Sequence, residues 1–352
     1  MNTYPELSLA REDMRKQKAL YQPSLFWDAA SDRIVQELSE GGIENFRRLP
    51  KPLSFFAPTY GPPGNSLTVA EVSELEAGYE ERCPEKRKQQ MTLRHLLGGE
   101  ALALADYRVL LAADDERRLP HLHTFSECDY GAPVEQFEFE GRRFSRSALN
   151  YLLGLVFLKR YLGEEVPRTV MEIGGGFGTL GEILAKSGIE GLRYVDLDIP
   201  PTSFVAQSYL TAALGSGQVS TYAETREMEE IEIAGLKTVS ALCAWQIEKL
   251  RGKVDLFVNF ISFQEMEPPI VANYLAQVDR LQAKYVLLRN LREGKAVKSE
   301  RVQHGVETPI LGGDYDGFLA AYDLLATNVR PFGYRTIDGF HSELRLYKRR
   351  VG

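Results

Sequence analysis

The sequence predicts an α/β protein: a doubly wound, mostly parallel seven-stranded sheet with an antiparallel C-terminal hairpin, preceded by a mainly helical N-terminal region. Three observations carry this. After Pro167, short apolar runs alternate with segments of helical period, the pattern of βαβ units. The first such run enters a turn with five glycines across "VMEIGGGFGTLGEIL" (170–184). The chain closes with "YRTIDGF" and "ELRLYKRR", two strands with no helix between them, which form an antiparallel hairpin.

Before Pro167 the elements are helical. Residues 24–40 set Leu25, Phe26, Ala29, Ile34 and Leu38 at approximately helical spacing. The stretch 47–66 holds five prolines and reads as a loop, one that could cross a cleft. Helical segments follow near 68–81 and 86–113. "VEQFEFEGRRFS" (134–145) alternates around a Gly-Arg turn and predicts a small hairpin, and 146–162 is a strongly apolar helix. After Pro167 come strand "RTVMEIG" and a helix at 178–187, then strand "LRYVDLD" and a helix at 202–214. Strands "TVSALCA" and "VDLFVNF", a helix at 268–282 and strand "YVLLRNL" come next. A long connection (292–313) and a helix near 315–327 precede the closing hairpin. Residues 1–165 are expected to form a helical substrate, cap or oligomerisation region, and 166–352 the ligand-binding domain.

Composition narrows the function. With 352 residues, 44% of them hydrophobic and 26% charged, the chain is ordinary globular protein. The net charge of −7 and the absence of a basic run longer than "EKRK" (85–88) argue against nucleic acid as substrate. No apolar run reaches the roughly 20 residues of a membrane span, and the charged N-terminus lacks a signal-peptide core. Cys83, Cys128 and Cys243 are scattered and odd in number, which points to a reducing cytoplasm. No metal is expected: His121 and His123, in "LPHLHTF", read as part of a half-buried segment.

The glycine turn fits two templates. Gly176, Gly178 and Gly181 make a literal GxGxxG, as in dinucleotide sites. Glu172, Gly174, Gly176 and Gly178 make an acidic-x-GxGxG, as in methyltransferases. A triphosphate is excluded, because no Lys-Ser/Thr follows the glycines. A diphosphate on the helix N-terminus would be repelled by Glu172, whereas the ammonium and sulfonium of S-adenosylmethionine would be attracted. Gly174, Gly175 and Gly176, with Phe177, then let backbone approach the cofactor closely. At the end of the second strand, "RYVDLDIPP" offers Asp196 and Asp198 for the ribose hydroxyls; Asp198, followed by Ile199, is at the very end and is preferred. After the third strand, in "CAWQ", Trp245 could stack on adenine and Gln246 bond its amine; Trp245 serves equally well as sheet packing.

"EIGGGFG", "DIPP" and "NFISFQEMEPPIVANYL" (259–275) together resemble the sugar O-methyltransferase family, a bacterial group of saccharide and natural-product biosynthesis, over about residues 125–295. The resemblance implies a class I methyltransferase fold, S-adenosylmethionine as cofactor and a hydroxyl acceptor. It implies cofactor roles for Glu172, Gly174, Gly176 and Asp198. Asn259, Gln264 and Glu265 are implied at the end of the fourth strand, facing the methyl group. The acceptor is expected to be a small molecule, bound with help from Gln264, Arg289 and Asn290, and the oligomeric state stays open between monomer and homodimer. A sugar hydroxyl needs a general base, for which the candidates are Glu265 and His304, with Asp314 and Asp316 in reserve. N- or carboxyl-methylation, an NAD-dependent oxidoreductase and a non-catalytic subunit are the alternatives; "NFIS" stands where base N-methylases carry an NPPY-like tetrapeptide.

Overall fold

The computed structural model describes residues 4–62, 67–300 and 305–350. The helical half holds α1 (Pro5–Arg15), α2 (Leu25–Gly41), α3 (Pro50–Phe55), α4 (Val69–Arg82), α5 (Arg87–Leu97) and α6 (Glu100–Ala113). The hairpin β1 (Phe137–Phe139) and β2 (Arg142–Phe144) follows, and then α7 (Arg146–Leu162). α2 buries Ile34 and Leu38 completely. α4 opens with a capping box between Thr68 and Glu71. The expected segment 86–113 is two helices, because Gly99 turns the chain with φ +73. α3 lies inside the expected loop: Pro50 occupies the first helical position, where the missing N–H costs nothing.

The second half runs β3 (Thr169–Ile173), α8 (Thr179–Ala185), β4 (Arg193–Asp198), α9 (Thr202–Leu214), β5 (Val219–Ser220), α10 (Tyr222–Thr225) and β6 (Ile231–Glu232). It continues through β7 (Val239–Cys243), β8 (Leu250–Arg251), β9 (Leu256–Phe260), α11 (Pro268–Arg280) and β10 (Tyr285–Leu291). The end of the chain is α12 (Asp314–Phe318), β11 (Tyr322–Asn328), β12 (Tyr334–Arg335) and β13 (His341–Arg349). The central sheet has the order β11-β13-β10-β9-β3-β4-β7-β5, with β12 also on β13. Strands β10 through β5 pair in parallel, and β13 pairs antiparallel with β10, β11 and β12. This is the doubly wound sheet with an antiparallel C-terminal edge, the class I methyltransferase arrangement, with nine strands in place of the expected seven because β5 and β11 extend its two edges.

Two details differ from the sequence expectation. The helix expected near 315–327 is only the short α12, and residues 322–328 form β11 as the partner of β13. Leu and Ala there favour a helix, but pairing along the edge of the sheet overrides that local preference. The expected strand "YRTIDGF" shrinks to the two residues of β12, and the very short β5 extends the opposite edge.

One apolar cluster crosses residue 165. It joins Ile34, Phe56 and Leu110 of the helical half to Val170, Leu256 and Leu346 of the sheet. α7 is its centre, with Leu149, Leu152 and Leu158 all at 2% exposure or less. The chain reverses its winding between β3 and β9, which are neighbours in the sheet. In such sheets the crevice beyond the strand C-termini at that point receives ligands. Among the described residues, no helix is long and apolar enough to cross a membrane.

Candidate functional site at the switch point

The crevice between the ends of β3 and β9 opens into a cleft of about 1100 Å³. One wall is the turn Gly174–Gly176, with Leu197, Asp198 and Ile199 at the end of β4 and Ala244 after β7. The other is Phe260–Ser262 at the end of β9, with Ser147, Asn150 and Tyr151 of α7. The N-terminal half roofs both through Leu20, Trp27, Phe55 and Phe56. The proline-rich segment therefore does border a cleft, through Phe55, Phe56 and Pro58.

The turn is shaped by close approach. A Cβ on Gly175 would sit 2.6 Å from Asp196 Oδ1 and 2.8 Å from Glu172 Oε2. Gly176 has φ +63 and lines the cleft, with Phe56 O 3.7 Å from where a Cβ would sit, so the turn brings backbone to the cleft surface. Across the switch point, Asn259 is fully buried and ties the two walls together. Its Nδ2 donates to Ile173 O (2.9 Å) and Ser262 Oγ (2.6 Å), and its Oδ1 accepts from Phe263 N (3.1 Å). The next residue but one, Ile261, holds φ +73, a left-handed conformation that is strained for a β-branched residue, at the rim of the cleft.

Acidic groups dominate the electrostatics. Glu172 is fully buried behind the turn, where it accepts hydrogen bonds from Tyr151 (2.7 Å) and Tyr194. Burial pushes its carboxyl up from 4.5 to about 7, against the opposing effect of the two tyrosines and with the help of Asp198. Asp196 accepts from Gly175 N (3.1 Å), while its Oδ2 is buried without a partner among the described residues. Burial, then repulsion from Glu172, pushes Asp196 well above the carboxylate range. Burial, then Asp196, does the same for Asp198, which accepts from Ile199 N (2.7 Å). Asp198 is partly open to the cleft, so water there offsets some of that penalty. The charged side chains lining the cleft are Asp198 and Glu265, both acidic.

The linkage sign follows. Each acid binds its proton more tightly folded than unfolded, so between pH 4.5 and about 7 the folded state holds more protons. The stability of the ligand-free protein should fall as pH rises through that window. Denaturant midpoints at pH 5 and pH 7.5 check this: the midpoint should be higher at pH 5, and the reverse order contradicts it. A cationic ligand favours the ionised acids and should release protons on binding near pH 7.

The structure distributes the sequence-predicted residues unevenly. Gly174, Gly175, Gly176, Phe177, Asp198, Ile199 and Glu265 line the cleft together. Glu172 does not; it stands behind the turn and acts through it. Trp245 is turned away from the cleft and packs edge-on against Tyr222 with centroids 5.6 Å apart. Gln246 is spent on Cys243 N and Thr225 Oγ1, both at 3.0 Å. Asn259, Gln264 and Asn290 form a buried brace instead of facing a ligand. Gln264 Oε1 accepts from Leu291 N (2.8 Å), and Asn290 Oδ1 accepts from Gln264 N (3.1 Å) while its Nδ2 reaches Asn259 Oδ1 (3.2 Å). Arg289 is fully buried over the Phe260 ring, donating to Phe332 O. Asp316 binds Arg345 and Tyr347 (2.8 and 2.7 Å) and Asp314 accepts from Leu311 N, so neither reserve base is at the cleft. His304 lies outside the described residues. Trp245, Gln246 and Gln264 follow β7 and β9 in tight 3-10 turns, where strand alternation no longer sets direction. Asn259, Arg289 and Asn290, by contrast, lie within β9 and β10 and are buried in the sheet.

Sequence reasoning missed the roof and α7. Glu265 shows why. Its Oε2 accepts from Trp27 Nε1 (3.2 Å), its backbone O from Ser24 Oγ (2.8 Å), and its Oε1 is paired with Lys295 (2.8 Å). A contact 238 residues apart in the chain leaves no local pattern to read. Among the described residues, no cluster of His, Cys, Asp and Glu could hold a metal ion.

No protein-family model matches the chain, and no curated protein matches it. Solved structures do show likenesses. One is the magnesium protoporphyrin IX methyltransferase of Synechocystis PCC 6803 with bound S-adenosylmethionine, 14% identical over 56% of this chain and 77% of that one, with a TM-score of 0.37. A second is an S-adenosylmethionine-dependent methyltransferase from Aquifex aeolicus, 16% identical over 59% and 94%, with a TM-score of 0.37. The CcbJ methyltransferase from Streptomyces caelestis is 10% identical over 56% and 94%, also at 0.37. The strand order itself, not these likenesses, assigns the fold.

Proposed function

We propose that the protein is an S-adenosylmethionine-dependent methyltransferase that methylates a hydroxyl of a small molecule, a sugar or natural-product intermediate. The observation that carries this is the charge of the cleft. Its lining acids, Asp198 and the Lys295-paired Glu265, are backed by Glu172 and Asp196. The cluster holds its protons tightly in the free protein and ionises favourably only against a cation, which suits a ligand with an ammonium and a sulfonium and opposes a dinucleotide diphosphate. Among the described residues, Thr202 Oγ1 at the cleft and Asp196 Oδ2 behind it are buried polar atoms without a partner.

In this reading the cofactor supplies an electrophilic methyl group on its sulfonium. Gly174–Gly176 give backbone contact to its amino-acid end, Asp198 accepts from its ribose hydroxyls, and Ile199 and Ala244 flank its base. Phe260, Ile261 and Ser262 carry the acceptor side, where the protein's task is to align the attacking oxygen and exclude water. Glu265 is the carboxylate placed to take the hydroxyl proton. Trp27 and Lys295 already hold both of its oxygens, so its benefit belongs at the lower end of the usual general-base range. Glu265→Gln should lower turnover by about 10² while changing S-adenosylhomocysteine affinity less than about twofold. Unchanged turnover in a folded variant removes Glu265 as the base.

Methyl-tritiated S-adenosylmethionine with a panel of glycosides and pathway metabolites tests the reaction. Label in a base-stable product is the expected ether. Base-labile label identifies carboxyl methylation instead, and label confined to an amine product identifies N-methylation.

A further inference from the structure

With the glycine turn and Asp198 given to the cofactor, the opposite wall of the cleft still needs a ligand. The cleft extends past the glycine turn to Ser147 and Asn150 of α7 and to Phe260–Ser262, residues that the cofactor reading leaves without a ligand. α7 shapes that wall. Its Ser147, Asn150, Tyr151 and Gly154 recur at helical spacing on one face. Gly154 lets the ring of Phe260 approach the helix closely, since a Cβ there would lie 2.4 Å from Phe260 Cζ. The Tyr151 ring stacks on the same Phe260 at 4.9 Å. This close contact holds Ser147 and Asn150 at the cleft.

The two polar side chains are unspent. Tyr151 is committed to Glu172. Asn150 is only 6% exposed and lines the cleft, yet among the described residues its carboxamide has no hydrogen-bond partner. Its amide is not among the buried unpartnered atoms, so its hydrogen-bonding capacity is left open to water at the cleft. Ser147, one turn away, also lines the cleft with its hydroxyl unengaged among the described residues. Facing them, Trp27 and Phe55 stand with ring centroids 5.4 Å apart and offer apolar faces. No basic side chain lines the cleft among the described residues; the nearest cation at Glu265, Lys295, is already paired with it and lies over Phe26 at 3.8 Å.

We propose that Ser147 and Asn150 form the acceptor subsite, and that the acceptor is an uncharged, hydroxylated molecule with an apolar face, excluding phosphorylated or carboxylated relatives. The inference rests on the methyltransferase reading. The amide and hydroxyl each give and take hydrogen bonds, which suits neighbouring hydroxyls of one acceptor. The aromatic roof covers its apolar face. An anionic acceptor would bring an unpaired charge into a cleft already lined by Asp198 and Glu265.

The test uses protein saturated with S-adenosylhomocysteine, titrated with 4-nitrophenyl β-D-glucopyranoside and with its carboxylated counterpart, 4-nitrophenyl β-D-glucuronide. The neutral glycoside should bind at least about tenfold more tightly. Asn150→Leu, of similar volume, should weaken the glucopyranoside by about tenfold and leave S-adenosylhomocysteine affinity within about twofold. Ser147→Lys should narrow or reverse the preference between the two glycosides. Equal or tighter binding of the glucuronide to the unmodified protein, no binding of either glycoside, or an Asn150→Leu variant that binds as the parent does overturns the subsite. Failure of S-adenosylhomocysteine to bind at the outset defeats the methyltransferase reading instead, and the first titration shows which has failed.

Discussion

Replacing Asn259 with Ala should destabilise the protein by about 3–5 kcal/mol, the largest loss expected from a single polar substitution here. Asn259 bonds β3 through Ile173 O, the turn after β9 through Ser262 Oγ and Phe263 N, and β10 through Asn290. Alanine removes all four bonds and strands the buried Phe263 N and Asn290 Nδ2, while Ser262 Oγ still donates to Ile173 O (3.2 Å). The effect should extend to function, because Ile173 immediately precedes the glycine turn. Urea denaturation measures the loss, and the cofactor affinity of the folded fraction should fall with it. A loss under about 1 kcal/mol would show that the two walls of the crevice are held together by packing alone.

The second large effect is at Asp198, where stability and binding should move in opposite directions. Asp198→Asn removes a carboxyl whose ionisation burial and Asp196 disfavour. The ligand-free variant should therefore melt higher than the parent at pH 7.5, the usual trade between stability and a strained site. The same change removes charge-assisted bonds to the ribose hydroxyls and one negative charge facing the cofactor. Affinity for S-adenosylmethionine should fall about 10²–10³-fold. A variant that is both less stable and unimpaired in binding contradicts the role given to this residue. Gly175→Ala provides a contrast: with Cβ 2.6 Å from Asp196, it should damage stability and binding together.

What the sequence made legible follows from how local each determinant is. The glycine turn and Asp198 were readable because a turn with positive φ and a carboxylate at a strand end are requirements of a few adjacent residues. The strand order was readable through Pro167 and the alternation after it. β11 was not, since "YDLLATN" becomes a strand only by pairing with β13, which closes the chain. Gln264, Arg289 and Asn290 were placed near the right strand ends, yet their side chains turn into the brace or the core. Asn150 and Ser147 passed unnoticed inside an apolar helix. Their significance depends on Phe260, more than a hundred residues away, and on Trp27, more than a hundred residues in the other direction.

The central claim is that the acidic crevice beside β3 holds S-adenosylmethionine. Calorimetric titration of the unmodified protein with S-adenosylhomocysteine and, separately, with NAD, at pH 7 in two buffers of different ionisation enthalpy, tests it most directly. The account predicts saturable one-to-one binding of S-adenosylhomocysteine and no binding of NAD. When sulfonium-bearing S-adenosylmethionine is titrated instead, it predicts proton release from acids raised toward neutrality in the free protein. Binding of NAD with none of S-adenosylhomocysteine would contradict it.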